Sequence, residues 1–159
     1  MTPTLVIGIG NPERGDDAAG IEVARRLRAR GTQDTEVREC SGDATRLLGS
    51  WQEWPRVIMV DAASGGGRPG TVHRFEANRG PLPAALLHGS THSWGVAEAV
   101  EVARSLGQLP PNVVVYAIEG KCFDLARRLS HPVRYAVARV ERQILEEIGQ
   151  IPPTKGKNG

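Results

Sequence analysis

Two patterns of apolar and polar residues alternate along this chain. Segments with the length and composition of β-strands occupy residues 5–7, 36–40, 56–60 and 112–118. Apolar residues at helical spacing occupy residues 18–30 and 96–106, and they recur after Ser130. This alternation predicts an α/β fold, a three-layer α/β/α sandwich with a mostly parallel sheet.

Shorter segments complete the predicted architecture. Residues 44–51 and 82–87 have the spacing of a short helix and a helical turn, and residues 71–75 that of a short edge strand. The glycine-rich segment 62–70 is expected to be a mobile loop. We predict a single domain over residues 1–152, followed by a polar C-terminal tail over residues 153–159.

Composition and charge exclude several classes of protein. The 20 basic and 18 acidic residues leave a net charge of +2, which is too balanced to predict a nucleic-acid surface. The sequence has no long apolar run for a membrane span, and no signal peptide is expected. The two cysteines are far apart, so we expect a cytoplasmic protein without a disulfide framework.

The sequence LVIGIGNPERGDDAAG, residues 5–20, predicts a strand, a glycine loop, two aspartates and the start of a helix. It differs from a dinucleotide-binding loop, because Glu13 replaces the third glycine and Pro12 has no N–H to donate. The carboxylates of Asp16 and Asp17 would also repel a pyrophosphate. A loop of this kind is better suited to a cation.

Three potential metal ligands lie where predicted strands end or helices begin. Asp17 follows the first strand, Asp61 follows the strand over residues 56–60, and His92 precedes the helix that starts near Gly95. Ligands in such sheets bind beyond the carboxyl ends of the strands. Two carboxylates and one imidazole suit a divalent metal such as nickel, zinc or manganese, and leave positions open for substrate or water.

Each of these residues also has a structural interpretation. Asp16 and Asp17 are suited to capping a helix, Asp61 to forming a turn, and His92 to hydrogen bonding at the surface. His88 is close enough in sequence to take the role of His92.

Other polar or reactive residues are interpreted as structural. His73 and His131 lie within a predicted strand and at a helix start. Cys40 and Cys122 are expected to be buried small hydrophobic residues, although Cys40 also lies at a strand end. No serine or cysteine nucleophile with a neighbouring base is evident, and Asp16 is a candidate to orient the loop or to act as a general base.

Three motifs resemble those of the hydrogenase maturation endopeptidases, which process the large subunit of nickel-iron hydrogenases. They are GIGNPERGDDAAG at residues 8–20, VDA at 60–62 and STHSWG at 90–95, and the resemblance covers about residues 4–150. It implies a twisted five-stranded mixed sheet flanked by helices, of the phosphorylase/hydrolase-like kind. One departure is Cys40-Ser41-Gly42-Asp43, where many relatives have an Asp-Gly-Gly-Thr turn.

The resemblance also implies roles for residues. Asp17, Asp61 and His92 match the family's metal-contacting and catalytic positions. The implied reaction is one cut near the C-terminus of the large-subunit precursor after nickel insertion. The nickel is supplied by the substrate, so no tightly bound cofactor is expected. The implied partner is that precursor, with neither nucleic acid nor membrane, and the chain is expected to act as a monomer.

Three alternatives remain at this point, and one of them is a relative of this family that acts on some other precursor. A chaperone that checks for nickel without cutting would use the same three residues. A peptidyl-tRNA hydrolase also starts with a strand and a Gly-x-Gly-Asn-Pro turn, but its Thr-Arg-His-Asn segment is absent here, and the near-neutral charge counts against a tRNA substrate.

Overall fold

The computed structural model describes residues 2–41, 44–87, 95–125 and 127–155. Its strands are β1 (Thr4–Ile9), β2 (Thr35–Cys40), β3 (Arg56–Ala63), β4 (Val72–Glu76) and β5 (Asn112–Glu119). Its α-helices are α1 (Ala19–Arg30), α2 (Ala84–Leu87), α3 (Val96–Ser105) and α4 (His131–Glu147). Three 3-10 helices cover Gly15–Ala18, Ala44–Gly49 and Ala77–Arg79.

The five strands form one sheet in the order β2-β1-β3-β5-β4. The first four strands of this order run parallel, whereas β4 pairs antiparallel with β5 at the edge. The sheet is therefore mixed and mostly parallel, as the sequence pattern and the resemblance predict. The carboxyl ends of the four parallel strands lie at one edge, where α/β proteins place their ligands.

Two hydrophobic cores cover the two faces of the sheet. Side chains from β1, β3 and β5 alternate between them, as Val57 and Met59 pack on one face and Ile58 and Val60 on the other. The first core contains α3 and Trp51, and the second contains α1 and α4. This gives the three-layer α/β/α sandwich. No helix among the described residues is long and apolar enough to cross a membrane.

Strands β3 and β5 extend further than the sequence predicts. Asp61 pairs with Ala117, and Ala63 pairs with Glu119, so the ladder continues beyond the apolar run. The prediction that the strand ends at Asp61 is wrong, because backbone pairing with β5 continues where the apolar pattern stops. Asp61 is a strand residue near the carboxyl edge. The tail over residues 153–159 stays a prediction.

Candidate active site at the carboxyl edge of the sheet

The glycines of the first loop bring helix α1 close to the sheet. A Cβ atom at Gly8 would overlap the carbonyl oxygen of Gly20, and one at Gly10 would overlap that of Asp17. Gly10 also has a φ of 141°, which L side chains rarely adopt. The space that these glycines leave is filled by the chain itself, since the 3-10 turn and the start of α1 pack directly on β1.

Asp17 lies in the 3-10 turn Gly15–Ala18 and is half-buried. Its Oδ2 accepts a hydrogen bond of 2.9 Å from the backbone N–H of Asn11. Burial raises the pKa of Asp17, although this hydrogen bond and the charge of Arg14 act against the rise. Among the described residues, no salt bridge to Asp17 is present, and Arg14 is the cation whose charge acts on it.

Asp61 projects from β3 toward the α3 face, because it shares the alternation of Val57 and Met59. Its Oδ1 accepts a hydrogen bond of 2.8 Å from the N–H of Ala62. Burial raises the pKa of Asp61 to about 8, with a further contribution from the negative charge of Asp17. Asp61 is therefore largely protonated at neutral pH, and the two aspartates lie close enough to interact.

The third predicted ligand, His92, lies outside the described residues, as does His88. Among the described residues, no group of three metal-binding side chains converges on one point. The structure thus brings Asp17 and Asp61 together, and the placement of the histidine stays a prediction. Burial and the charge of Asp17 disfavour ionisation of Asp61, and a divalent cation bound between the two groups would offset both effects.

Asp16 has a different environment from its neighbour Asp17. Its side chain is fully buried and accepts hydrogen bonds from the N–H groups of Lys121, Cys122 and Ser130, and from the Ser130 hydroxyl, at 2.7 to 3.1 Å. Burial alone would raise the pKa of Asp16, but these hydrogen bonds outweigh it and leave the pKa below 3.8. Asp16 therefore anchors the loop that follows β5.

These contacts correct two structural interpretations and one catalytic one. The hydrogen bonds of Asp16 and Asp17 reach Asn11 and the loop after β5 rather than the first turn of α1, so neither caps that helix. Asp61 lies in a paired strand, so it is not a turn former. Asp16 is a buried, fully hydrogen-bonded anion with a lowered pKa, which does not suit a general base.

A second buried carboxylate, Glu119, lies near Asp61 on the same face. Glu119 is 2% exposed, and its oxygens are 3.2 Å from His73 Nε2 and from the N–H of Gly65. Ala117 on β5 pairs with Asp61 on β3 and with His73 on β4, so these two side chains flank the same position of β5. Sequence reasoning missed Glu119, although a charged residue directly after the apolar run 112–118 is the same signal that marked Asp61.

The cysteines lie in unlike surroundings. Cys40, at the end of β2, is buried and belongs to the α3-side core, in agreement with the expected role of a small hydrophobic residue. Cys122 is half-buried in the loop after β5, and its Sγ donates a hydrogen bond of 3.3 Å to Asp124.

Comparison with known proteins gives a consistent set of matches. The model of the hydrogenase maturation protease family HycI matches residues 21–147. Coenzyme F420 hydrogenase subunit delta from Methanothermobacter thermautotrophicus is 28% identical over 157 residues, covering 91% of this chain and 94% of that protein.

Solved structures of similar fold include two maturation proteases. The [NiFe] hydrogenase maturation protease HycI from Thermococcus kodakarensis has a TM-score of 0.74 and 24% identity, with 93% of each chain covered. The hydrogenase maturating endopeptidase HybD from E. coli has a TM-score of 0.78 and 21% identity, with 92% of each chain covered. At these identities the likeness shows the fold.

Proposed function

The chain belongs to the hydrogenase maturation protease family, and from this premise we propose its specific reaction. It is an endopeptidase that removes the C-terminal extension from the large-subunit precursor of a nickel-iron hydrogenase. It acts after nickel insertion and recognises the nickel already held by its substrate. The family match supports a peptidase in hydrogenase maturation. The nearby carboxyl groups of Asp17 and Asp61 support the recognition of a metal ion held by the substrate.

The single observation that carries this proposal is the pairing of Asp17 and Asp61. The two carboxylates come from different elements, and the charge of one raises the pKa of the other. They occupy the carboxyl edge of the sheet, at the positions that the sequence motifs assign to metal contact. A divalent cation presented by the substrate would be attracted to this pair and would displace the proton from Asp61.

Within this proposal, Asp17, Asp61 and His92 contact the substrate's nickel and thereby position the scissile segment. The bound metal supplies Lewis acidity, which polarises a carbonyl group or a water molecule. The protein contributes rigidity, since Asn11 orients Asp17 and the N–H of Ala62 orients Asp61. No tightly bound cofactor of the enzyme itself is required.

We infer the protein partner, the oligomeric state and the cellular compartment from the proposed reaction. The partner is the large-subunit precursor, and the balanced net charge of +2 gives no reason to invoke nucleic acid. We propose that the chain acts as a monomer in the cytoplasm, where hydrogenase precursors with free C-terminal extensions would meet it.

A second candidate function is a chaperone that checks nickel insertion without cutting. The 28% identical relative is named as a hydrogenase subunit, which favours a protein that associates with a hydrogenase. The match to a protease family favours cutting, and it also favours this family over a peptidyl-tRNA hydrolase.

The experiment that separates these functions is intact-mass measurement of a nickel-loaded precursor incubated with the protein. A peptidase converts the precursor into a shorter large subunit and a released C-terminal peptide. The Asp17→Asn variant is the matched control, because it keeps the size of the side chain but removes its charge. Association without any change in mass would establish the chaperone.

A further inference from the structure

An open cleft lies on the other side of the first loop, away from the α3 face. Its volume is about 410 Å³, and it lies among the first loop, α1, α4 and the segment that precedes α4. Its basic lining residues are Arg26, Arg127, Arg128 and Arg134, whereas Glu22 is the one acidic residue among its described lining residues. We call Arg127, Arg128 and Arg134 the basic cleft.

The arginines of the basic cleft carry uncompensated charge. All three are exposed, and within the described parts of the chain no carboxylate lies within 4.0 Å of their guanidinium groups. Arg26, in contrast, bonds to Glu141 at 2.7 Å and so helps to join α1 to α4. Three neighbouring like charges repel one another, which an anionic ligand would relieve.

Two exposed apolar side chains lie close in sequence to these arginines. Leu125 is 60% exposed and Tyr135 is 66% exposed, and both are among the few large hydrophobic residues on the described surface. Tyr135 also packs edge-on against His131, with ring centroids 5.2 Å apart, which limits its freedom. Tyrosine and arginine are enriched at the centres of protein interfaces.

The basic cleft is attached to the candidate active site. Arg127 forms a parallel β-bridge with Arg14, and the segment before α4 is held by the four hydrogen bonds to Asp16. Gly15 lines the cleft, and Asp17 follows it by two residues. A ligand in the cleft is therefore fixed relative to the turn that carries Asp17.

We propose that the basic cleft binds an acidic segment of the hydrogenase large-subunit precursor and holds it while its nickel reaches Asp17 and Asp61. This inference rests on the proposed function. Charge complementarity selects an anionic partner. The proposed substrate is a polypeptide, so its carboxylate side chains would supply the negative charge, and the exposed Leu125 and Tyr135 lie close in sequence to these arginines. The net charge of the chain is only +2, so the positive charge is concentrated in this cleft. Nucleic-acid-binding domains usually carry a much larger net positive charge.

The test combines binding and cleavage with one double variant, Arg128→Glu with Arg134→Glu. Its matched control is Arg46→Glu with Arg139→Glu, which also reverses two charges at exposed positions outside the cleft lining. Binding of immobilised nickel-loaded precursor is measured for each protein, and cleavage kinetics are measured separately. Thermal unfolding confirms that all the proteins are folded.

We expect the double variant to bind the precursor about tenfold more weakly. Its KM should rise by a similar factor, whereas its kcat should stay within about twofold of the wild-type value. Added salt should weaken wild-type binding and have less effect on the variant. Equal binding by wild type, control and double variant would overturn the inference. It would also be overturned if the control and the double variant lost precursor binding to the same extent.

Failure of the proposed function has a different signature. If wild type binds the nickel-loaded precursor through the cleft but leaves its mass unchanged, cleavage is wrong and the docking surface stands. If wild type cuts the precursor and the double variant cuts it with the same KM, the docking surface is wrong and the peptidase stands.

Discussion

At the scale of single residues, the neighbours Asp16 and Asp17 show how local donors decide the state of a carboxylate. Asp16 is fully buried, yet four hydrogen bonds keep its pKa low. Asp17 accepts one backbone hydrogen bond, and its pKa is raised by burial. The same residue type therefore serves as a structural anchor at one position and as a potential cation ligand at the next.

Asp61 gives a pH-dependent prediction for stability. The unfolded chain loses this proton near pH 3.8, whereas the folded chain keeps it until about pH 8. The folded state therefore binds more protons between these values, and Asp61 lowers stability as the pH rises. We expect the stability of Asp61→Asn relative to wild type to rise from pH 5 to pH 8, by up to about 1.4 kcal/mol for each pH unit.

Urea unfolding at the two pH values measures this difference. Asp34→Asn, at an exposed position, controls for the general loss of one negative charge. A stability difference between Asp61→Asn and wild type that stays constant from pH 5 to pH 8 would contradict the raised pKa.

Substitution of the proposed ligands should separate activity from stability. We expect Asp17→Asn, Asp61→Asn and His92→Ala each to remove most processing of a nickel-loaded precursor. Within the described parts of the chain the Asp17 side chain makes one hydrogen bond, so the unfolding free energy of Asp17→Asn should change by no more than about 1 kcal/mol. Intact-mass assays and thermal unfolding test this. Loss of processing accompanied by a lost unfolding transition would count against these roles.

At the scale of secondary-structure elements, the apolar pattern predicts the order of strands and helices but not where pairing ends. The four core strands and α1, α3 and α4 lie where periodicity places them, because their burial requires that pattern. Asp61 and Glu119 fall inside strands, since backbone pairing between β3 and β5 is not limited to apolar residues. Contacts between elements far apart in sequence, such as Asp16 with Ser130, leave no local pattern.

The anchoring role of Asp16 gives a prediction at this scale. Asparagine at this position would place an NH₂ group among four donors, so Asp16→Asn should destabilise the protein by about 2 to 4 kcal/mol. Thermal unfolding compares it with Asp17→Asn, the same change one residue later. If both variants unfold at the wild-type temperature, Asp16 does not hold the loop after β5.

At the scale of the whole molecule, the sheet brings two carboxylates to one edge, and the loop after β5 links this edge to the basic cleft. The motifs of the sequence predict Asp17 and Asp61 as neighbours, and the structure places them close enough to interact. The basic cleft was not predictable, because its arginines and Gly15 meet only when the segment before α4 folds against the first loop.

The central claim is that the metal arrives with the substrate. The raised pKa of Asp61 means that a proton competes with a metal ion at the proposed site, so we expect the isolated protein to bind free metal weakly. Purified protein should therefore contain little tightly bound metal. Treatment with a chelator that is then removed should leave its activity unchanged.

The most direct measurement is the intact mass of nickel-loaded and nickel-free precursor after incubation with chelator-treated enzyme. We expect that only the nickel-loaded precursor loses its C-terminal extension. Stoichiometric zinc in the isolated protein, with cleavage of both precursors lost on chelation and restored by zinc, would contradict it and establish a conventional metallopeptidase.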